Sequence, residues 1–285
     1  MRILITGANG QLGNEMRVVA AANMQHTCLF TDIHELDVCD EAAVARYVSN
    51  EQIDVIVNCA AYTAVDKAED DEALCRRLNA DAPTYLAAAA EACGAALIQV
   101  STDYVFDGTS YRPYTENDAP NPRSVYGTTK FEGEEAVQRL CSRCAVVRTS
   151  WLYSSFGNNF VKTMLRLGRE RDALGVVFDQ IGTPTYAGDL AVALFAMIEQ
   201  GVTPGIYHFS NEGVCSWYDF AHTIHRMAGV TCRLTPLHTA DYPTRAHRPH
   251  YSVLDKTKIK HTFGITIPHW EDSLKHCMDI LLNNE

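Results

Sequence analysis

A tyrosine and a lysine stand four residues apart, at Tyr126 and Lys130, where a helix is predicted to begin. Residues at this spacing project from one helical face, so the two side chains lie together. Tyrosine keeps its proton at neutral pH, and a neighbouring ammonium favours the phenolate that remains after the proton is donated. The pair predicts a proton donor, although a Tyr-x-x-x-Lys pair on a plain surface is the alternative.

A hydroxyl and a carboxyl follow one predicted strand, Leu97–Ser101, in the segment STDYVFDG. Thr102 lies at the carboxyl end of that strand and Asp103 comes next. In open α/β sheets ligands bind beyond the carboxyl ends of the strands. Thr102 is therefore a candidate hydrogen-bond donor in catalysis, together with Tyr126 and Lys130.

Three glycines follow the first predicted strand in the segment TGANGQLG, at Gly7, Gly10 and Gly13. Glycine suits a tight turn, a close approach of the backbone to pyrophosphate, and a helix packed closely on a strand. The N-terminus of the following helix offers free N–H groups to phosphate. The spacing predicts a dinucleotide site, and the alternative is an ordinary strand–turn–helix.

An acidic residue, Asp32, ends the second predicted strand, where a carboxylate accepts hydrogen bonds from the adenosine ribose. A carboxylate there repels the 2′-phosphate of NADPH, and no arginine follows the strand at once to bind that phosphate, so the sequence favours NADH. The alternative role of Asp32 is to cap a helix or a turn. Asp37 and Val38 lie where an adenine would rest. The other residues expected at the dinucleotide are Asn9, Gln11, Leu12, Ala60, Ala61, Tyr62 and Thr63.

Short apolar runs alternate with amphipathic segments over the first 150 residues, which is typical of strands joined by crossover helices. The predicted strands are Arg2–Ile5, Thr27–Thr31, Val55–Asn58, Leu97–Ser101 and Ala145–Arg148. The predicted helices are Gln11–Ala22, Glu41–Asn50, Glu72–Cys93 and Gly127–Leu140. Unbroken apolar strands are buried on both faces. The sequence therefore predicts an α/β fold with a doubly wound parallel sheet of Rossmann type.

A looser pattern follows residue 150, with a short strand at Val176–Phe178 and a helix at Ala187–Ile198. We expect residues 1–150 to form the dinucleotide-binding domain, with 175–205 returning to it. Residues 151–174 and 206–285 would form a smaller, interleaved α+β lobe for the substrate.

The composition excludes several classes of protein. The chain has 285 residues and a net charge of −11, which opposes a nucleic-acid polymer or an anionic membrane surface. It shows neither a signal peptide nor an apolar run long enough for a membrane span, so we expect a cytoplasmic protein. The ten cysteines are scattered and expected to be reduced, and the pair Cys141–Cys144 falls short of a zinc site.

Seven further segments extend the pattern in chain order: NCAAYTAVD, STDYVFDG, VYGTTK, RTSWLY, GNNF, DQIGTPT and RPHYSVL. With the glycine motif they resemble the extended short-chain dehydrogenase/reductases, and within them the family of the dTDP-4-dehydrorhamnose reductases. The likeness covers nearly the whole chain.

The resemblance implies NADPH- or NADH-dependent reduction of the C4 keto group of dTDP-4-dehydro-L-rhamnose to dTDP-L-rhamnose. Tyr126 would protonate the alkoxide, Lys130 would hold the nicotinamide ribose and Thr102 would bind the carbonyl oxygen. Asp103 and Trp151 match positions near the sugar nucleotide, with a turn cap and core packing as their alternatives. The resemblance is also compatible with a homodimer.

Two other functions compete with this interpretation. A dehydratase is expected to carry Thr-Asp-Glu, whereas this chain has Thr102-Asp103-Tyr104; a sugar-nucleotide epimerase is the related alternative. A non-catalytic NADP-binding regulatory subunit, as in methionine adenosyltransferase, could keep the glycine loop and lose the catalytic groups. The presence of Thr102, Tyr126 and Lys130 together favours an enzyme.

The resemblance also implies a magnesium ion in some family members, with Glu15 and Asp189 at the matching positions. Asp189 is shorter than the expected glutamate, and the C-terminus Asn283-Asn284-Glu285 offers no clear third ligand. Because Mg²⁺ needs several oxygen ligands, we predict no metal site.

Overall fold

A computed structural model describes residues 1–23 and 25–283. Its strands are β1 (Arg2–Thr6), β2 (Thr27–Thr31), β3 (Val55–Asn58), β4 (Ala96–Thr102), β5 (Cys144–Thr149), β6 (Leu152–Tyr153), β7 (Ala173–Val177), β8 (Ile181–Gly182), β9 (Thr185–Tyr186), β10 (Gly205–His208), β11 (Cys215–Ser216) and β12 (Arg233–Leu237). In this described part, six parallel strands form the central sheet in the order β2-β1-β3-β4-β5-β10. The chain therefore reverses its direction of travel across the sheet between β1 and β3.

The α-helices in the described residues are α1 (Gln11–Ala22), α2 (Glu41–Asn50), α3 (Val65–Ala68), α4 (Glu72–Arg76), α5 (Ala82–Cys93), α6 (Val125–Leu140), α7 (Phe160–Glu170), α8 (Ala187–Glu199), α9 (Trp217–Ala228), α10 (Thr257–Phe263) and α11 (Trp270–Asn283). Helices α1 and α8 pack together, and so do α2, α5 and α6. Each group belongs to a different apolar cluster that includes the sheet. The central strands are buried on both faces, and the predicted doubly wound parallel sheet is confirmed.

The bounds of several predicted elements shift by one to three residues. The predicted helix at Glu72–Cys93 is interrupted by a π-helical stretch, Arg77–Asp81, between α4 and α5. Helix α6 begins at Val125 rather than Gly127 because the Ser124 hydroxyl caps it by accepting from the Gly127 N–H at 3.1 Å. Phe178 lies outside the strand predicted there.

Strand pairing crosses the sequence-based division at two strands, and the division itself stays a prediction. Strand β10, assigned mostly to the lobe at 206–285, pairs with β5 as the sixth strand of the central sheet. Strand β7 pairs with β12 outside that sheet, although the division returned residues 175–205 to the first domain. Strands β7 and β10 are short, and the apolar residues in them do not indicate which neighbouring strand each will pair with.

Within the described residues, the smaller region has three two-stranded pairs, β6–β9, β7–β12 and β8–β11, around helices α7, α9 and α11. Its own apolar cluster includes Phe220, Ile224 and Leu274, each fully buried. In the described ranges no helix is long and apolar enough to span a membrane. The ten cysteines are free thiols.

Candidate active site

A cleft of about 520 Å³ lies at the carboxyl ends of the central strands, where the sheet order reverses. Ligands of open α/β sheets bind at this point. Residues following β1, β3, β4 and β5 line it, together with Trp217 and Arg248 from the smaller region. The predicted site residues that line the cleft are Gly7, Gly10, Gln11, Leu12, Gly13, Ala61, Thr63, Thr102, Asp103, Tyr126, Lys130 and Trp151.

The glycine loop leaves no room for side chains at two of its three glycines. Gly7 has φ +62°, and a Cβ there would lie 2.6 Å from the Ala60 nitrogen. A Cβ on Gly13 would lie 2.4 Å from the Gly7 carbonyl oxygen. Gly10 is the N-cap of α1 and supplies no side chain to cap it, so the first N–H groups of the helix stay free for a ligand. This cradle fits a pyrophosphate group.

Asp32 lies beside the glycine loop rather than on the wall of the cleft. Its carboxylate accepts hydrogen bonds from the backbone N–H groups of Asn9, at 3.0 Å, and Ile33, at 2.9 Å. The carboxylate is thus fixed at the end of β2, where the predicted ribose contact requires it, and it also holds the loop.

The other predicted dinucleotide residues outside the cleft wall have structural partners. The Tyr62 N–H donates to Asn79 Oδ1 at 2.9 Å, and the Asp37 carboxylate accepts from the Cys39 N–H at 2.9 Å. Val38 is buried in the apolar cluster of α2 and α5, while Ala60 lies behind Gly7. The structure therefore divides the predicted set into a cleft wall and a supporting layer.

Tyr126 occupies the first turn of α6, close to the end of β4. Burial, the main influence, raises the pKa of Tyr126 well above its usual range, and the neighbouring Thr102 hydroxyl opposes this shift. The Tyr104 ring meets it edge to face at 5.5 Å between centroids. A Cβ on Gly127 would lie 2.3 Å from the Tyr104 carbonyl oxygen, so that glycine allows the close contact. The phenol is therefore held in its protonated form beside a hydroxyl.

Lys130 lies one turn further along α6, and its ammonium donates to the Val100 carbonyl oxygen at 2.6 Å. The residue is buried, and loss of hydration lowers the pKa of Lys130 to about 8. Asp103 is also buried and accepts from the Thr102 hydroxyl at 3.0 Å. Burial raises the pKa of Asp103 to about 6. The cleft thus brings together an acid, an ammonium and a hydroxyl.

Two stacked indoles form the far wall of the cleft. The rings of Trp151 and Trp217 lie 3.6 Å apart between centroids and 12° from parallel. Trp151 has φ +48°, a left-handed conformation that is rare for a bulky residue. A Cβ on Gly182 would lie 2.6 Å from the Trp151 ring, so the glycine makes space for it. Trp151 therefore lines the cleft, and its contact with the sugar stays a prediction.

Arg248 closes one side of the cleft and was not predicted as a site residue. Its guanidinium donates to the Asp66 carboxylate at 2.6 Å and lies 3.5 Å from the Tyr104 hydroxyl. Trp217 was missed as well. Both residues reach the cleft only through long-range folding, and the one available signal was that Arg248 opens the segment RPHYSVL.

Glu15 and Asp189 each have protein partners in this structure. The Ser154 hydroxyl donates to Glu15 at 2.6 Å, and burial raises the pKa of Glu15. Asp189 accepts from Asn211 at 2.6 Å and from Ser273 at 2.5 Å. Within the described ranges, no three acidic, histidine or cysteine side chains form a metal-binding group. Asn284 and Glu285, in the C-terminal segment considered for a third magnesium ligand, lie outside the described residues. The absence of a metal site therefore stays a prediction.

The parallel sheet with the glycine loop at its reversal point is a Rossmann-type fold, the fold expected of the extended short-chain dehydrogenase/reductases. More narrowly, the chain belongs to the family described as RmlD substrate binding domain, which matches residues 1–283.

Individual relatives agree with this assignment. The dTDP-4-dehydrorhamnose reductase of Aggregatibacter actinomycetemcomitans is 44% identical, over 96% of this chain and 97% of its own. A solved dTDP-4-dehydrorhamnose reductase from Clostridium acetobutylicum is 45% identical with a TM-score of 0.96, over 99% of this chain and 100% of its own. The dTDP-4-dehydrorhamnose reductase from Bacillus anthracis, solved in complex with NADP, is 39% identical with a TM-score of 0.94. The match covers 98% of this chain and 99% of its own.

Proposed function

We infer that this protein is an enzyme that reduces the C4 keto group of dTDP-4-dehydro-L-rhamnose to dTDP-L-rhamnose with NADPH or NADH. One observation carries the inference: the Thr102 hydroxyl, the Tyr126 phenol and the Lys130 ammonium share a single cleft with the glycine loop. The names of the relatives specify the substrate.

The nucleotide end of the cleft holds the cofactor through backbone groups. The free N–H groups at the start of α1 bind the pyrophosphate, and Asp32 binds the adenosine ribose. Ala61 and Thr63 line the path beyond β3, with Asn9, Asp37, Val38, Ala60 and Tyr62 supporting the loops around the bound dinucleotide. When bound, the reduced nicotinamide supplies the hydride.

The catalytic groups then handle the proton and the developing charge. Thr102 donates a hydrogen bond to the keto oxygen, and Tyr126 delivers its proton to that oxygen as it becomes an alkoxide. Lys130 holds the nicotinamide ribose, and its positive charge stabilises the phenolate that Tyr126 leaves. Because burial keeps the phenol protonated, the acid is available over the whole physiological pH range.

The sugar nucleotide lies between the catalytic groups and the smaller region. We propose that residues 151–174 and the segment after β10 form the sugar-nucleotide lobe, with Trp151 against the sugar and Asp103 at its hydroxyls. Both residues line the cleft. An aromatic face suits the apolar face of a sugar ring.

The competing functions lack support from this cleft. A regulatory subunit has no need of a hydroxyl, a phenol and an ammonium brought together at one place. A dehydratase needs a glutamate after Asp103, where this chain has Tyr104, whose ring is instead packed on Tyr126. We further propose a cytoplasmic location, in keeping with the free thiols, and a homodimer as the form to be tested by light scattering.

A steady-state assay with dTDP-4-dehydro-L-rhamnose tests the function. We expect equimolar loss of NADPH or NADH and formation of dTDP-L-rhamnose, with no turnover when the substrate is a UDP-linked 4-keto-sugar. Tight cofactor binding without any consumption would favour the regulatory subunit. Conversion without net cofactor consumption would favour an epimerase or a dehydratase.

A further inference from the structure

A third charged residue continues the catalytic face of α6. Tyr126, Lys130 and Glu134 are each four residues apart, so they lie in one row along the helix. Glu134 is fully buried, and its side chain points away from the cleft. A buried carboxylate is costly unless it is paired, so its position calls for an explanation.

The partner of Glu134 is Arg148 on β5. The Arg148 Nε donates to Oε1 at 2.9 Å, and Nη2 donates to Oε2 at 2.6 Å. The two side chains are 0% and 1% exposed. The guanidinium also lies over the Phe106 ring, 5.1 Å from its centroid. The two hydrogen bonds fix the geometry of the pair. Removing either partner would leave a buried charge without its partner, which is strongly destabilising.

Two contacts one turn apart therefore fasten α6 to two neighbouring strands. The Lys130 ammonium binds the Val100 carbonyl oxygen on β4, and the Glu134 carboxylate binds Arg148 on β5. Thr102 ends the same strand β4. The contacts fix the height of the helix over the sheet, and hence the position of Lys130 and Tyr126 relative to Thr102.

Glu134 also acts on the charge of Lys130. Burial of Lys130 disfavours its charged form, and three groups oppose this: Glu134 on the same helix, Cys59 after β3 and Cys75 on α4. Burial raises the pKa of both thiols, that of Cys59 to about 12, so they are neutral at physiological pH. Among these three groups only Glu134 supplies a negative charge there.

We propose that Glu134, held by Arg148, is a positioning residue that keeps Lys130 protonated and in place. The proposal deepens the reductase function and rests on it for its kinetic consequence. Its structural part concerns the ligand-free protein and can be measured without any turnover.

The direct test is an NMR titration of lysines labelled at Cε with ¹³C, in the ligand-free protein. The Lys130 resonance is assigned by its absence from Lys130→Met. We expect Glu134→Gln to lower the titration midpoint of Lys130 by roughly 1 pH unit, because it removes the negative charge that favours the ammonium and leaves the Arg148 charge unpaired. Glu134→Asp restores the charge and should recover part of the shift.

Glu132→Gln is the matched control. It removes a carboxylate from the same helix two residues earlier, where Glu132 pairs with Arg76. We expect the Lys130 midpoint to be unchanged in this variant. A shift of the same size as in Glu134→Gln would mean that any charge lost from α6 has this effect, which would overturn the proposal.

A double variant covers the case in which Glu134→Gln fails to fold. Glu134→Leu with Arg148→Met replaces the pair by apolar side chains of similar size, which proteins often tolerate. The midpoint of Lys130 should fall, by less than in Glu134→Gln, because no unpaired arginine remains. A folded double variant with the parent's midpoint would show that the pair is only structural.

Kinetics separates failure of this inference from failure of the proposed function. In the parent enzyme we expect kcat to fall at high pH as Lys130 loses its proton, and Glu134→Gln should move that fall to lower pH. A parent without keto-sugar reduction would refute the proposed function, while the NMR titration would still decide the role of Glu134. An active parent whose alkaline limb is unmoved by Glu134→Gln would overturn the role of Glu134 alone.

Discussion

The two ends of the cleft are constructed differently. At the nucleotide end, a stretch of seven residues from Gly7 to Gly13 presents backbone N–H groups, and glycines create the space. At the end where we propose that the sugar binds, Trp151, Trp217 and Arg248 come from three distant segments and present side chains. A site made of backbone leaves one compact pattern in the sequence, whereas side chains from distant segments leave scattered signals, such as the segments RTSWLY and RPHYSVL.

The proposed catalytic residues lie between these two ends, and removing the proposed acid should have the largest effect. We expect Tyr126→Phe to lower kcat by roughly 10²–10⁴-fold, the range of a positioned general acid. Cofactor affinity should be kept, because the glycine loop is untouched. Stopped-flow turnover and a fluorescence titration with NADPH measure the two effects. Near-normal turnover in the folded variant would remove Tyr126 from the mechanism.

Lys130→Met should affect both ends of the cleft at once. The variant keeps most of the apolar stem but loses the ammonium that donates to Val100 and is expected to hold the nicotinamide ribose. We expect kcat to fall by about 10²-fold, as for loss of a group that stabilises developing charge, and the Kd of NADPH to rise with it. Unchanged cofactor binding together with unchanged kcat would make Lys130 a purely structural residue.

Trp217→Ala should affect the sugar end alone. It removes the ring stacked on Trp151, and aromatic pairs contribute about 0.5–1.5 kcal/mol beyond their buried area. We expect KM for the dTDP-sugar to rise about 2–10-fold, with the Kd of NADPH unchanged. The far-UV circular dichroism exciton couplet of the stacked indoles should disappear, and Trp217→Phe should restore most of the KM. A change confined to cofactor affinity would contradict the division of the cleft.

Asp32→Ala should have the smallest effect on turnover, because it acts on the choice of cofactor and is confined to the nucleotide end. Loss of the negative charge should raise the kcat/KM for NADPH relative to NADH by about tenfold, equivalent to about 1.4 kcal/mol. Asp32→Asn is the matched variant, because its side-chain oxygen can still accept from the Asn9 N–H. An unchanged ratio in both variants would count against contact between Asp32 and the ribose.

The sequence predicted the fold well because strands buried on both faces are apolar throughout, as in Val55–Asn58. It missed that β10 joins the central sheet, since the four residues Gly205–His208 carry too little pattern to identify a partner. The start of α6 was set two residues late because the capping role of Ser124 depends on a hydrogen bond rather than on apolar periodicity.

Three residues of the cleft wall carry a local signal in the sequence. Thr102 ends a strand, and Tyr126 and Lys130 share one face of the following helix, and the structure brings all three to one cleft. Trp217 opens α9 in the smaller region, and its approach to Trp151 depends on how that region packs. The role of Glu134 was also invisible, because it depends on a partner 14 residues away on a strand of the sheet.

The most direct test of the account follows the transferred hydrogen. The enzyme is supplied with dTDP-4-dehydro-L-rhamnose and with NADPH deuterated at the transferring position of C4, and the product is analysed by mass spectrometry and proton NMR. The account predicts one deuterium at C4 of the rhamnose, and Tyr126→Phe should slow its incorporation by the same factor as kcat. Product carrying solvent hydrogen at C4, or deuterium at another carbon, would contradict reduction by direct hydride transfer in this cleft.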